Sequence, residues 1–127
     1  MRQAISTPAA PQAVGPYSQA VRAGSFLFVS GQIAIDPATG QVVAGDVAAQ
    51  TRRVMENLGE ILKAAGSSFG QVVRTTVFLT DIADFPAMNE VYGTYFSAPA
   101  PARSTIQAAR LPRDSKVEID VIALLSD

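Results

Sequence analysis

The sequence predicts one α+β domain in which a single mixed β-sheet carries two helices on one face. Two observations support this prediction: segments rich in β-branched residues lie at both ends of the 127-residue chain, and two segments of helical periodicity lie between them. Strand runs that flank helices favour an α+β arrangement. The length suits one domain, and no internal repeat or linker interrupts it, so residues 1–127 are treated as a single domain.

The first strands are predicted at residues 17–23 and 26–35, which are rich in aromatic and β-branched residues and are separated by a Gly-Ser pair. This spacing predicts an antiparallel hairpin. The DPATG segment at 36–40 follows, with Asp and Pro at the first two positions of a type I turn.

Two helices are predicted from apolar residues that recur at intervals of three and four. The first covers residues 47–65, with Asp46 as its N-cap and Gly66 as its stop. The second lies within 83–96, with Asp84 near its cap and a proline in its first turn, where no backbone donor is required.

Three further strands complete the predicted sheet. Residues 72–80 are strongly β-branched and predict an interior strand. Residues 104–109 and 116–125 are predicted to pair as a second hairpin through the intervening loop. In the last segment, alternate residues from Val117 to Leu125 are apolar, so we expect Asp120 on the opposite face.

The composition excludes several kinds of chemistry. The chain contains no Cys and no His, so a disulfide, a thiolate nucleophile, a Ser-His-Asp triad and the usual zinc sites are all excluded. Any reaction must depend on carboxylates, arginine, hydroxyls, amides and water. We therefore expect a site without metal or cofactor and a reaction with a low intrinsic barrier.

Charge and hydropathy indicate the partners. The net charge is −1 and the basic residues are not clustered, which argues against nucleic-acid binding. The apolar runs are shorter than the ~20 residues that span a bilayer. The N-terminal dozen residues do not resemble a secretory signal, so cytoplasmic localisation is expected. With 48% hydrophobic and 17% charged residues, the chain is expected to bury surface against copies of itself, although a well-packed monomer stays open.

Two charged residues are candidates for a site. Asp120 lies beside Ile122 and Leu124 on its face of the strand, and a carboxylate in apolar surroundings is costly unless it is paired. Arg103 begins the preceding strand, and a guanidinium grips a carboxylate through two parallel hydrogen bonds. Each also has a plainer interpretation, as an exposed sheet-edge charge or a surface ion-pair partner.

Five motifs, which together span nearly the whole chain, resemble the RidA (YjgF) family in the family's order. They are GPYSQAV (15–21), VSGQIAIDPATG (29–40), RTTVFLTDIADFPAMNEVY (74–92), PARSTI (101–106) and LPRDSKVEIDVIA (111–123). The resemblance implies a chorismate-mutase-like fold and a homotrimer whose sheets form a central barrel with three pockets between subunits. It also implies hydrolysis of reactive 2-imino or 2-enamino acids to 2-oxo acids and ammonia.

The resemblance also implies roles for seven residues. Arg103 would hold the substrate carboxylate, Gly31 would allow close backbone approach, and Thr105 and Asp120 would serve the chemistry, Asp120 by positioning the attacking water. Pocket-lining positions match at Tyr17, Ser30 and Asn89. Because Asp120 is interpreted as replacing an archetypal Glu, a non-catalytic member that binds a small carboxylate or a partner protein remains an alternative. The natural substrate is not specified by these motifs.

Overall fold

The computed structural model describes residues 1–125, which form eight strands, two α-helices and three short 3-10 turns. The strands and helices run in the order β1 (Arg2–Ile5), β2 (Ala20–Ala23), β3 (Phe26–Gln32), β4 (Ile35–Asp36), β5 (Gln41–Val42), α1 (Val47–Ala64), β6 (Val72–Leu79), α2 (Phe85–Gly93), β7 (Ala102–Gln107) and β8 (Val117–Leu124). The 3-10 turns are Phe69–Gln71, Ile82–Asp84 and Pro112–Asp114.

Six of these strands form one mixed sheet, as predicted, in the order β1-β2-β3-β8-β6-β7. All neighbouring pairs are antiparallel except β6 and β7, which are parallel. The predicted β2–β3 hairpin is confirmed, and the DPATG segment forms the turn of the separate β4–β5 hairpin. Strand β1 was not predicted, because its four residues are mostly exposed and show no apolar alternation.

The predicted second hairpin is wrong. Strand β6 lies between β7 and β8, so these two strands do not pair with each other. Thr75 of β6 stands opposite Arg103 on one side and opposite Val121 on the other. Helix α2 connects β6 to β7 as the crossover that a parallel pair requires. Strand β7 is last in the sheet order and is therefore an edge strand.

Helix α1 begins and ends where the sequence predicts. The Asp46 side chain accepts a hydrogen bond from the Ala49 amide at 3.0 Å, and Gly66 adopts a φ of +78° just beyond the helix. The helix packs against α2, β3 and β8. Its fully buried apolar side chains are Val54, Met55, Leu58, Ile61 and Leu62.

The sheet has one face covered by the helices and one open face. Alternate residues of β8 are buried against the helices, while Asp120 and Ile122 are half-buried on the other side, as predicted. The open face carries four large apolar side chains that are 40–48% exposed: Phe26, Phe28, Ile106 and Leu124. An apolar face of this kind is typical of a surface that meets another protein.

Asn57 joins helix α1 by hydrogen bonds to the segment that follows β3. Its carboxamide is fully buried and donates to the carbonyl oxygens of Ile33 at 3.3 Å and Ile35 at 2.9 Å. Its Oδ1 accepts from Arg53 Nε and Nη2. Together with the backbone bonds from the Ile35 amide to the Ile33 carbonyl and from the Val43 amide to the Ala34 carbonyl, this side chain holds the segment between β3 and β4.

We expect Asn57→Ala to lower the free energy of unfolding by about 1–3 kcal/mol, because the Ile35 carbonyl loses its Asn57 donor, whereas the Ile33 carbonyl keeps its bond from the Ile35 amide. Lys63→Ala, an exposed change on the same helix, should alter it by less than about 0.5 kcal/mol. Urea denaturation followed by circular dichroism measures both. Equal stability of the two variants would show that Asn57 does not hold this segment.

Candidate functional site

Arg103 is held in place by three groups of helix α2. Its Nη1 donates to Asn89 Oδ1 at 2.6 Å, so two of the residues predicted for the site are in direct contact. The guanidinium carbon lies 5.2 Å from the centre of the Phe85 ring and 4.9 Å from that of Tyr92. Tyr92 is itself fixed by a 2.8 Å hydrogen bond between its hydroxyl and that of Thr75.

Within residues 1–125, Arg103 has no carboxylate partner. The ion pairs of this part of the chain join Arg53 to Glu56 and Arg110 to Asp114. The aromatic rings and the Asn89 amide orient the guanidinium without neutralising its charge. Arg103 is therefore available to bind an external carboxylate, and its planar fork suits two parallel hydrogen bonds.

Thr105 lies two residues along β7 from Arg103 and therefore on the same face of the sheet. Its hydroxyl oxygen is buried and has no hydrogen-bond partner among the described residues. An unpaired buried hydroxyl is costly, so an unpaired one beside Arg103 is suited to a ligand or water.

A cavity of about 380 Å³ lies beside β3 and β8, away from the edge strand β7 that carries Arg103. Two of the predicted site residues, Tyr17 and Gly31, line it. Ser30 lies next to Gly31, and its hydroxyl donates to the Ser18 carbonyl at 2.6 Å. The remaining wall combines apolar and polar residues: Pro11, Val14, Ile33, Ile35 and Pro112 on the one hand, and Gln12, Gln19, Gln32 and Arg113 on the other.

Glu118 is the carboxylate of this cavity, and the sequence analysis missed it. Its side chain lies so close to Gly31 that a Cβ there would come within 2.9 Å of Glu118 Cδ and closer still to Oε2. A side chain at position 31 would therefore displace the Glu118 carboxyl, which glycine leaves in place. Burial, with a smaller contribution from the charge of Asp120, raises the pKa of the Glu118 carboxyl.

Asp120 does not line this cavity. Its side chain is half-buried on the open face, where β6 places Thr76 opposite it. Burial raises the pKa of Asp120, while a hydrogen bond from Thr76 and the charge of Arg74 oppose that rise. Asp120 and Glu118 lie two residues apart on the same face, so alternation alone does not show which of them meets the cavity.

Arg103 and Glu118 are too far apart in one chain to act on one small molecule. Arg103 is level with Val121, three residues from Glu118 and two strands away. Strand spacing and rise place the two Cα atoms about 14 Å apart. In addition, Arg103 faces helix α2, whereas Glu118 lies on the side that the helices do not cover.

Residues 1–125 contain neither a cluster of metal-binding side chains nor a helix suited to crossing a membrane. No group of three or more His, Cys, Asp or Glu side chains in this range is arranged to hold a metal ion. No helix in the same range is long and apolar enough to cross a membrane.

Known proteins are similar to this chain over almost its whole length. The sequence model of the family described as Endoribonuclease L-PSP matches residues 7–125. Protein DfrA of Myxococcus xanthus is 58% identical over 125 residues, which cover 97% of this chain and 95% of that protein. The mouse protein named 2-iminobutanoate/2-iminopropanoate deaminase is 52% identical over 124 residues, which cover 98% of this chain and 92% of that one.

Solved structures show the same similarity. TdcF of E. coli, whose structure contains bound serine, has a TM-score of 0.93 and 48% identity, covering 98% of this chain and 99% of that chain. RidA from an Antarctic Psychrobacter has a TM-score of 0.93 and 45% identity, covering 97% and 99%. The resemblance inferred from the motifs is confirmed: the chain belongs to the Endoribonuclease L-PSP family, which is the RidA (YjgF) family.

Proposed function

We propose that this protein hydrolyses reactive 2-imino and 2-enamino acids to 2-oxo acids and ammonia. The observation that carries the proposal is the oriented Arg103 guanidinium, which has no carboxylate partner within residues 1–125 and lies beside the unpaired Thr105 hydroxyl. An arginine prepared in this way fits the carboxylate that every such substrate carries. The mouse relative named as a 2-imino acid deaminase supports the same reaction.

The reaction needs little from the protein. An imine carbon is already electrophilic, so an anchor, an oriented water and a proton acceptor are sufficient. Water adds to the C=N bond, the nitrogen leaves as ammonia, and a C=O bond remains. Glu118 is the group we propose to carry both protons of the water to the nitrogen: it accepts the first as the water adds and the second as the O–H of the adduct becomes C=O.

Glu118 is better placed for this role than Asp120. It lines the cavity with Tyr17 and Gly31, and burial raises its pKa, which makes its carboxylate a stronger base. Asp120 instead faces Thr76 and lies outside the cavity lining. The side chains of Tyr17 and Ser30 are proposed to line the substrate's path to Glu118.

The complete site is proposed to form between two copies of the chain. Arg103 lies on the edge strand β7, which has an unpaired side available to a neighbour, and Glu118 belongs to a cavity about 14 Å away in the same chain. A homotrimer with chorismate-mutase-like architecture would enclose the open faces of three sheets in a barrel. It would cover Phe26, Phe28 and Leu124 and would supply three sites.

A binding protein without catalysis is the second candidate. The TdcF structure holds serine, which carries a carboxylate and an amino group, and the DfrA relative is not named as an enzyme. Arg103 alone would suffice for such binding. The family description includes endoribonuclease, but a net charge of −1 and the absence of His offer little support for RNA cleavage. We propose a cytoplasmic protein without cofactor or nucleic-acid partner.

Glu118→Gln should lower kcat about 100-fold, because it removes the proton acceptor. The matched Asp120→Asn change should lower kcat less than about threefold, since that carboxylate lies outside the cavity. The assay follows ammonia release from imino acids freshly generated by an amino-acid oxidase. If wild type releases ammonia no faster than the protein-free control, the protein binds without catalysis. If Asp120→Asn lowers kcat more than Glu118→Gln does, the chemistry belongs to Asp120.

The same variants predict a pH effect. Glu118 must be deprotonated to act as a base, so kcat/KM should fall as the pH drops through its raised pKa. Asp120→Asn removes the neighbouring charge that contributes to the raised pKa, so the acid limb of this variant should move to lower pH. An unchanged acid limb would contradict the coupling of the two carboxyls.

Light scattering should give a mass near 40 kDa, three times the 13.3 kDa of one chain. Phe28→Glu, which introduces a charge on the open sheet face, should shift the mass toward that of one chain. Ala64→Glu, which adds the same charge at an exposed position of helix α1, should leave the mass unchanged. If wild type has the mass of a single chain, the proposal of a site shared between copies is wrong.

A further inference from the structure

Part of the cavity wall is a segment without regular secondary structure. Residues 6–16 lie between β1 and β2, and Pro11 and Val14 from this segment line the cavity. The segment contains three prolines, Pro8, Pro11 and Pro16, which have no backbone donor. A wall that has so few backbone hydrogen bonds of its own must be held by other groups.

One side chain, that of Gln19, supplies most of the hydrogen bonds. Its Oε1 accepts from the Thr7 amide at 2.7 Å, and its Nε2 donates to the carbonyl oxygens of Thr7 at 3.0 Å and Pro11 at 2.7 Å. A longer contact of 3.4 Å reaches the Ala10 carbonyl. Gln19 is only 4% exposed, so these bonds are made away from competing water.

The backbone of Gln19 holds the opposite part of the site. Its carbonyl oxygen accepts from the Ser30 amide at 2.9 Å, and the Ser30 hydroxyl donates to the adjacent Ser18 carbonyl. Ser30 precedes Gly31, where an added side chain would displace the Glu118 carboxyl. A single residue therefore joins the irregular wall to the strand that approaches the proposed base.

We propose that Gln19, which also lines the cavity, is a positioning residue: its buried carboxamide fixes the 7–11 segment, and with it Pro11 in the wall that receives the substrate's side chain. A neutral amide suits this role, because one group must both accept from an amide and donate to several carbonyls. A carboxylate would retain the acceptor and lose both donors, so it would face those carbonyl oxygens with like charge. The part of this inference that concerns substrate rests on the proposed function.

The test compares Gln19→Glu and the neutral Gln19→Met with Gln3→Glu, an exposed change on β1. Hydrogen exchange of residues 7–13 reports the wall directly. Titration calorimetry with 2-oxobutanoate and with the larger 4-methyl-2-oxopentanoate reports its consequence without requiring turnover. Either Gln19 variant serves if the other does not fold.

We expect exchange in this segment to accelerate at least about tenfold in the Gln19 variants and not in Gln3→Glu. The Kd of the larger acid should rise about tenfold and that of the smaller acid less than about threefold, a difference that a general loss of stability would not produce. Partial recovery of Gln19→Glu at low pH, where its carboxyl becomes a donor, would also support the inference.

Unchanged exchange in both Gln19 variants would overturn the inference, as would faster exchange with equal effects on the two acids. Wild type that binds an acid but releases no ammonia contradicts only the proposed function. If wild type binds neither acid, the proposed function falls, and the exchange comparison still decides whether Gln19 holds the wall.

Discussion

The position of β6 between β7 and β8 determines which residues of one chain can act together. It places Arg103 on an edge strand under helix α2 and Glu118 two strands away on the other face. One half of the site offers a cation oriented by Asn89 and two aromatic rings, and the other offers a half-buried carboxyl in an apolar cavity. Under the proposed function neither half alone suffices for hydrolysis, and the proposed assembly is what brings the two together.

Neutral amides hold both halves in place. Asn57 secures the segment after β3, Gln19 secures the opposite wall, and Asn89 orients the guanidinium. Amides satisfy donors and acceptors without adding charge, so the charges on which the proposed function depends are those of Arg103 and Glu118. This arrangement is suited to a reaction whose electrophile is already activated, because positioning the reactants then matters more than a strong acid, base or nucleophile.

Much of the fold follows from local patterns, and the errors have definite physical causes. Helix α1 was predictable because Asp46 and Gly66 bracket a strong 3.6-residue period. The pairing of β7 was not, since periodicity identifies strands but not their neighbours. Glu118 and Asp120 share one face of β8, and only the close approach to Gly31 separates their roles. No sequence pattern reports that approach, although the glycine itself is a signal that a neighbour is near.

The central claim is that Arg103 of one copy and Glu118 of another serve the same substrate, and subunit mixing tests it most directly. Arg103→Gln and Glu118→Gln should each be inactive alone. The two variants are mixed in equal amounts, unfolded, refolded together and assayed for ammonia release. Random assembly should restore about a quarter of the wild-type sites, because each site has a one-half chance of an intact Arg103 from one copy and a one-half chance of an intact Glu118 from its neighbour. If the mixture stays as inactive as its parents while forming trimers, the two residues do not share a site across copies.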